Sequence, residues 1–361
     1  MTQPRSHRPI LITRPPSLTA LPALAACALA LAACDKSTAF GEADSLILVA
    51  DQALWTELEQ ETYAILEPTL TTVREDRTFH VTFVPNDGSE LDQLLLWRQV
   101  LVFGTPDDAR VQEIVDEAER SAPPSPGEVV QARDVWARGQ LATAIVLEPG
   151  SEAASWRAAL PELAELLDRQ FREYATSRMW ASGVDTAFAA TLRERYGATL
   201  RAPRIYHGTI GEDGLIRLRN DRPSPSDRIR SILIERAERG AATAGEADAD
   251  GGNAPLDPEA VFAWREGIDS VAYNVPQAIE RTDIEPRRFK LGEGEAIEVR
   301  GIWRDEGTYP AGGPFVARAV RCPDAMWFFD AWLYSPHPED SKYEFMLQLE
   351  AILDSFRCSA E

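Results

Sequence analysis

Hydrophobic and polar positions follow two different periods along the chain, and together they predict a mixture of strands and helices. An unbroken apolar run at 46–49 is typical of a buried strand. Asp51 follows where a helix N-cap is expected, and a helical apolar period continues from it until Pro68. Residues 79–83 alternate apolar with polar side chains, which predicts a half-buried strand.

The same reasoning covers the rest of the chain. Further strands are predicted at 99–103, 129–136, 141–147, 204–210, 215–218, 229–234, 296–303, 314–320 and 326–334. Further helices are predicted at 106–120, from 151 onward, at 183–196, from 258 onward and at 339–356. This succession predicts the α+β fold class.

The order of these elements indicates a weak internal repeat. Each half reads as two strands, a helix, a strand pair that carries a tryptophan, and a closing amphipathic helix. We therefore expect two similar halves, 46–180 and 181–361, each a small β-sheet with packed helices. The alternative stays open, because amphipathic helices share such a pattern without common descent. The acidic stretch 238–256 lacks any period and predicts a flexible surface loop.

The first 33 residues have the features of a secretory signal peptide. They contain three arginines and no acid, followed by a short run rich in Leu and Ala. The run ends in Leu-Ala-Ala-Cys at Cys34 and then turns polar, which is the pattern of a lipobox. We therefore predict a signal peptide at 1–33, lipidation of Cys34 and a short tether at 34–45. Cys27 has a similar context, but apolar sequence continues after it. An ordinary signal peptide with an incidental cysteine is the alternative.

The charge of the chain narrows the range of partners. The whole chain carries −21, and because residues 1–33 carry three arginines and no acid, the remainder carries −24. Nucleic acid is excluded as a partner, since binding it requires a basic surface. The predicted membrane contact is the N-terminal lipid, which places the protein in the cell envelope, facing the periplasm or the outside.

Cys322 and Cys358 are predicted to form a disulfide. Disulfides persist in exported proteins. Cys322 lies in the turn before the strand at 326–334, and the helix at 339–356 returns over nearly the same length. This return places Cys358 over the turn. Two unpaired thiols are the alternative.

Few residues suggest catalysis or metal binding. The three histidines after the signal peptide, His80, His207 and His337, lie at no metal-ligand spacing from each other or from cysteine. A nucleophile elbow, a phosphate loop and a dinucleotide fingerprint are all missing from the sequence. The sequence therefore predicts no catalytic residue, metal or cofactor.

Two segments combine tryptophan, arginine and glycine at predicted strand ends. Tryptophan and arginine are favoured binding anchors, so a recognition surface is one interpretation. The other is structural, with tryptophan in the core, arginine in ion pairs and glycine in bends. The predicted binding residues are Trp136, Arg138, Trp303, Arg304, Gly312 and Gly313.

These segments also resemble a bacterial lipoprotein family catalogued as domain of unknown function 4837. The resemblance covers most of the chain after the signal peptide. It rests on Cys34 and on the stretches 134–140, 300–303, 312–316 and 348–353. Arg138-Gly139, where the family tends to have Lys-Pro, and the acidic loop at 238–256 depart from the family pattern. The resemblance implies export and a shared fold, and it implies no activity.

Three functions remain as hypotheses. The leading one is a non-catalytic envelope lipoprotein that binds a protein or glycan partner. The second is a hydrolase that acts on an envelope polymer, and the third is a structural subunit of an envelope complex. A cleft with convergent carboxylates or a Ser–His pair would favour the hydrolase, whereas a flat surface of tryptophan and arginine would favour binding.

Overall fold

The computed structural model describes residues 36–71, 75–222, 228–238, 256–272, 277–282, 284–305, 311–336 and 341–358. Within these ranges the chain forms two large β-sheets, a short hairpin and seven α-helices. The predicted α+β mixture of sheets and packed helices is therefore confirmed. Cys34, the predicted signal peptide and residues 239–255 of the predicted acidic loop lie outside the described residues.

The first sheet is mainly parallel. Its strands are β1 (Ser45–Ala50), β4 (His80–Pro85), β5 (Gln99–Gly104), β6 (Val129–Arg133) and β7 (Leu141–Val146). They lie in the order β4-β1-β5-β7-β6, and only β6 runs antiparallel to its neighbour. The hairpin of β2 (Thr69–Thr71) and β3 (Glu75–Arg77) lies outside this sheet. Parallel sheets are covered on both faces, which explains the unbroken apolar runs of β1 and β5.

Helices cover both faces of the first sheet. They are α1 (Gln52–Leu66), α2 (Leu91–Leu94), α3 (Ala109–Glu117) and α4 (Glu152–Met179). Along β1, Leu48 points into the core formed with α1 and α4, whereas Val49 points into the core formed with α2 and α3. The carboxylate of Asp51 accepts hydrogen bonds from two amides of the first turn of α1, as expected for its N-cap.

The second sheet is antiparallel. Its strands are β8 (His207–Ile210), β9 (Ile216–Asn220), β10 (Ile229–Glu238), β11 (Gln277–Arg281), β12 (Arg287–Leu291), β13 (Gly294–Asp305), β14 (Ala311–Arg321) and β15 (Ala325–Tyr334). They lie in the order β11-β13-β14-β15-β10-β9-β8, and β12 pairs with the other end of β13. The helices α5 (Thr186–Tyr196) and α7 (Tyr343–Asp354) contribute to the core on one face, and α6 (Pro258–Ala272) contributes to the core on the other.

The last helix belongs to both halves. Tyr343 and Leu347 at its start lie in the core that α1 and α4 form on the first sheet. Leu349 and Ile352, farther along, lie in the core of the second sheet. The helix α7 therefore packs against α4 and joins the two halves into one body.

Cys322 and Cys358 form a disulfide with an S–S distance of 2.06 Å and a Cα–Cα distance of 5.4 Å. Both residues are buried in the core of the second sheet. The bond fixes the end of α7 to the turn between β14 and β15, the place at which the sequence analysis expects it.

The prediction that the two halves resemble each other is wrong. The first sheet is mainly parallel with crossing connections, whereas the second is an antiparallel sheet with a different strand order. The shared order of strands and helices gave a wrong prediction because the hydrophobic period of a strand does not specify whether its partner runs parallel or antiparallel to it. The two halves are alike only in combining a sheet with packed helices.

The part of the predicted tether from Ser37 to Phe40 is packed against the first half. The backbone N–H of Arg138 donates to the carbonyl of Ser37, and the N–H of Ala39 donates to the carbonyl of Arg138, at 2.8 and 2.9 Å. The N–H of Phe40 donates to the carbonyl of Leu96. The described chain therefore begins as an ordered part of the fold. None of the helices in the described ranges is long and apolar enough to cross a membrane.

Candidate functional site

The residues predicted as a recognition surface belong to two separate cores. Trp136 packs partly against the core between the first sheet and α3, and its indole N–H donates to the carboxylate of Glu113 at 2.5 Å. Trp303 is buried in the core beneath α6, and its indole N–H donates to the carbonyl of Leu333 at 3.1 Å. Since the indole of Trp303 is only 4% exposed, it offers no anchor to a partner.

The two arginines predicted beside these tryptophans are exposed and have partners. Arg138 donates a hydrogen bond to the hydroxyl of Thr38 at 3.0 Å. Arg304 forms an ion pair with Glu280, with 2.5 Å between Nη2 and Oε2. These contacts suit the structural interpretation, and a binding role for Trp136, Arg138 and Arg304 stays a prediction.

The two glycines of the same segment serve the packing of the second sheet. A Cβ atom at Gly313 would lie 1.7 Å from the carbonyl oxygen of Leu333, so a side chain cannot fit there. At Gly312 the nearest atom would be the carbonyl oxygen of Trp303 at 3.0 Å. The glycine at position 313 therefore lets β14 lie close to β15.

A polar cleft of about 330 Å³ lies between the two halves. One wall comes from the start of β1, from β4 and from α4, and the other from the residues before β10 and the start of α7. The cleft is lined by Glu42, Ala43, Asp44, Ser45, His80, Phe171, Tyr174, Arg228, Ser341, Glu344 and Phe345. None of the residues predicted as a binding site is among them.

Asp44 is the acid that the first half contributes to the cleft. Its side chain is buried, and burial raises the pKa of its carboxyl group above the ordinary value. The charge of His80 acts in the opposite direction, and Glu42 raises the pKa further. The backbone N–H of His80 donates to the carbonyl of Asp44 at 2.9 Å, which joins the two residues.

Glu344 is the acid that the second half contributes. Burial raises the pKa of its carboxyl group, and the charges of Asp44 and Glu42 raise it as well, whereas Arg178 lowers it. The guanidinium of Arg178 lies 3.5 Å from Oε1 of Glu344, and the amide of Gln348 donates to the same oxygen at 3.2 Å. Asp44 and Glu344 therefore line the same cleft from opposite walls, and the charge of Asp44 adds to the raised pKa of Glu344.

The wall of the second half carries an aromatic ring and an arginine, and a second arginine lies against the same ring. The guanidinium carbon of Arg228 lies 5.1 Å from the centroid of the Phe345 ring, and that of Arg230 lies 5.3 Å from it. Phe345 and Arg228 line the cleft directly. The cleft therefore presents carboxyl groups on both walls and adds a guanidinium and an aromatic ring on one of them.

A second cavity, of about 400 Å³, lies at the carboxyl ends of the parallel strands. It opens between β1 and β5, where the following helices leave to opposite faces, a position at which α/β sheets often bind ligands. Its acids are already engaged: Asp51 and Asp108 accept hydrogen bonds from the amides of α1 and α3, Glu57 pairs with Arg157, and Glu152 accepts from the N–H of Gly150. Because all four acids have partners on the rim of one half, the cleft between the halves is the better candidate site.

Sequence reasoning missed every residue of the cleft. Asp44, His80 and Glu344 are separated by long stretches of chain and share no motif. The one local signal was His80, a polar residue within the alternating segment at 79–83. No described group of three or more His, Cys, Asp or Glu side chains is arranged to hold a metal ion.

The fold and the cleft define a two-sheet α+β protein with a polar site between its halves. Residues 266–355 match the sequence profile of a family described as "Domain of unknown function (DUF4837)". This match confirms the predicted resemblance for that part of the chain, which runs from α6 to the end of α7. No curated protein is significantly similar to the chain.

Solved structures give only distant similarities. Cyanobacterial PsbP from Synechocystis is 12% identical with a TM-score of 0.31, covering 45% of this chain and 87% of its own. The Ran-binding protein Mog1p of Saccharomyces cerevisiae is 12% identical with a TM-score of 0.29, covering 45% and 91%. A Bacteroides thetaiotaomicron protein is 12% identical with a TM-score of 0.22, covering 46% of each chain. Similarities this distant give no grounds for transferring an activity.

Proposed function

We propose that the chain is a lipid-anchored envelope lipoprotein that binds a glycan in the cleft between its two halves. The observation that carries this proposal is a cleft walled by both halves, with Asp44 on one wall and Glu344 on the other. Carboxylates accept hydrogen bonds from sugar hydroxyls, and aromatic rings provide apolar contact to a sugar ring. The tyrosine and phenylalanines of the cleft, Phe171, Tyr174 and Phe345, supply that contact.

The proposed anchor is the lipid on Cys34, which rests on the lipobox. The packing of the chain from Ser37 onward supports a close attachment, because only Asp35 and Lys36 would separate the lipidated residue from the ordered fold. Lys36 itself donates to the carbonyl of Asp134 at 2.6 Å. On this proposal the body is held next to the bilayer and meets glycans of the envelope.

Native mass spectrometry of the mature protein with fractionated envelope glycans tests the binding function. We expect a discrete mass shift for the wild type and its loss in the double variant Asp44→Asn with Glu344→Gln. The matched control is Asp116→Asn with Glu162→Gln, which removes two exposed carboxylates elsewhere on the first half. Retention of the mass shift in the cleft variant, or its loss in both variants, would overturn the assignment of the cleft.

A second candidate function is hydrolysis of an envelope polymer, favoured by the same two carboxyl groups. Groups whose pKa is raised by burial and by a neighbouring acid suit general acid catalysis. His80 adds a base to the first wall. Incubation of the protein with the same glycan fractions decides between the two functions. Shortened glycan products that are absent with the double variant indicate hydrolysis, whereas bound glycan of unchanged length indicates binding alone.

A further inference from the structure

Three polar side chains form a row across the second sheet, beside the cleft. Arg230 on β10 lies directly opposite Asn220 on β9. The register of β8 against β9 pairs His207 with Arg219, so Tyr206, one residue earlier, continues the same row. Directly opposed residues of an antiparallel sheet project to the same face. Here that face is the one covered by α7, because Tyr206 belongs to its core.

Each of these side chains is buried and keeps an atom without a hydrogen-bond partner among the described residues. The atoms are the hydroxyl of Tyr206, Nδ2 of Asn220 and Nε of Arg230, in residues that are 3%, 1% and 9% exposed. The amide of Asn220 is oriented by its own oxygen, which accepts from the N–H of Arg222 at 3.2 Å. The row therefore consists of three buried donors on one face of the sheet.

The arginine of this row is not paired with an acid among the described residues. No carboxylate in the described part of the chain forms an ion pair with Arg230, whose guanidinium instead lies over the ring of Phe345. A buried charge without a partner is costly, and so is a buried donor without an acceptor. An oxyanion would satisfy both requirements, since a guanidinium matches a carboxylate or a phosphate in geometry and charge.

The row is next to the proposed glycan site. Phe345 contacts the guanidinium of Arg230 and also lines the cleft, so one ring separates the row from the cavity. Arg228 lies over the same ring and lines the cleft as well. The positive charge of Arg230 acts on the phenol of Tyr206, against the effect of burial, which raises the pKa of that phenol. The two donors are thus within electrostatic reach of each other.

We infer that Tyr206, Asn220 and Arg230 form an oxyanion subsite beside the cleft, behind the ring of Phe345, which binds a carboxylate or phosphate group on the ligand. The inference rests on the proposed function and narrows it, because the glycan would be an acidic one. In this arrangement the guanidinium of Arg230 supplies the charge, and the amide of Asn220 and the hydroxyl of Tyr206 donate to the remaining oxygens.

Isothermal titration of the mature protein with inorganic phosphate and with acetate tests the subsite and separates the two oxyanions. We expect saturable binding of at least one of them. Tyr206→Phe keeps the packing and removes one donor, so the affinity should fall about tenfold, the usual effect of a hydrogen bond to a charged group. Arg230→Gln should abolish binding.

The control is Arg201→Gln, which removes an exposed arginine that lies over the ring of Trp180 in the same half. Binding should be unchanged in this variant. The absence of binding of both anions to the wild type, or equal affinity in Tyr206→Phe and the wild type, would overturn the subsite. A neutral glycan bound in the cleft would leave the proposed function standing and exclude the subsite. Anion binding without any glycan binding would support the subsite and overturn the proposed glycan-binding function.

Discussion

The phenol of Tyr343 donates a hydrogen bond to Oδ1 of Asp168 at 2.5 Å, and this bond connects α7 to α4. Arg172 completes the cluster, because its Nη2 lies 2.6 Å from the phenol and its Nε lies 2.6 Å from Oδ2 of Asp168. Burial and the neighbouring Asp168 raise the pKa of Tyr343, so the phenol stays protonated and able to donate. The junction between the halves therefore combines apolar packing with a directional polar contact.

Replacement of Tyr343 by phenylalanine should lower the free energy of unfolding by about 1–2 kcal/mol, since the ring packing remains but the phenol loses two hydrogen bonds, one to Asp168 and one from Arg172, both partly exposed. Urea unfolding followed by tryptophan fluorescence measures this change. Tyr63→Phe is the matched control, because no described residue accepts a hydrogen bond from its phenol; its effect should be smaller. Equal effects of the two variants would contradict the assigned role of Tyr343.

Glu298 should stabilise the second sheet in a pH-dependent way. Burial alone would raise the pKa of its carboxyl group, but Arg318, Arg300 and Arg287 lower it from 4.5 to about 2. Its Oε2 lies 2.6 Å from Nε of Arg318. A group with a lowered pKa in the folded state contributes its stability above the ordinary pKa and loses it as the pH falls through the folded value.

The free energy of unfolding of the variant Glu298→Gln should therefore be about 3 kcal/mol lower than that of the wild type at neutral pH. This difference should shrink as the pH falls from 4.5 to about 2. Denaturant unfolding at a series of pH values measures this. Glu295→Gln on the same strand is the control, since Glu295 is exposed and pairs with Arg321 at the surface. A pH-independent difference for Glu298→Gln would show that the loss comes from packing.

Replacement of Gly313 by alanine should destabilise the protein by about 3 kcal/mol or more, because the added methyl group would overlap the carbonyl oxygen of Leu333. Gly312→Ala should cost much less, since its nearest contact, 3.0 Å, can relax by a small shift. Thermal unfolding of the two variants gives the comparison. If the variants are equally stable, β14 and β15 do not approach as closely as described.

Reduction of the disulfide should lower the free energy of unfolding by about 3–4 kcal/mol, as expected from the chain entropy of the loop that it closes. Unfolding of the mature protein with and without reductant measures the effect. Reductant should leave the free energy of unfolding of the double variant Cys322→Ala with Cys358→Ala unchanged. A wild type that is insensitive to reductant would show that the bond is absent or contributes nothing to stability.

Cys34→Ser should abolish lipid labelling and release the protein from the membrane fraction, because the thiol of Cys34 is the proposed acyl acceptor. Metabolic labelling with palmitate, followed by fractionation, measures both. Cys27→Ser is the control and should leave labelling intact. Labelling that depends on Cys27 instead would move the cleavage site into the apolar run.

Local sequence signals predicted most helices and strands, but not the direction of neighbouring strands or the contacts between distant elements. Asp51 and Pro68 bracket the first helix because capping and helix termination act within one or two turns of chain. The period of Leu160, Leu163 and Leu167 likewise marked the buried stripe of α4. Four short strands were not predicted. Strands β2 and β3 have three residues each, too few to show a period, and most residues of β11 and β12 face solvent, which removes the alternating pattern.

The candidate site could not be predicted for a different reason. Asp44 and Glu344 line the same cleft only because α7 packs against the first half. No local pattern in the sequence encodes this long-range contact. Trp303 and Trp136 drew attention by residue type, but residue type does not distinguish a core indole from an exposed one. The same limit explains the mistaken repeat, since hydrophobic periods do not reveal whether neighbouring strands run parallel.

The shared helix α7 also determines when the first half can finish folding. Synthesis proceeds from the N-terminus, yet the core around Phe171 is completed by Tyr343, which follows every described strand of both sheets in the sequence. Part of the apolar surface of the first half therefore stays uncovered until α7 has been synthesised. A truncation that stops before α7 would be expected to be recognised by chaperones and proteases, even though every strand of both sheets is present.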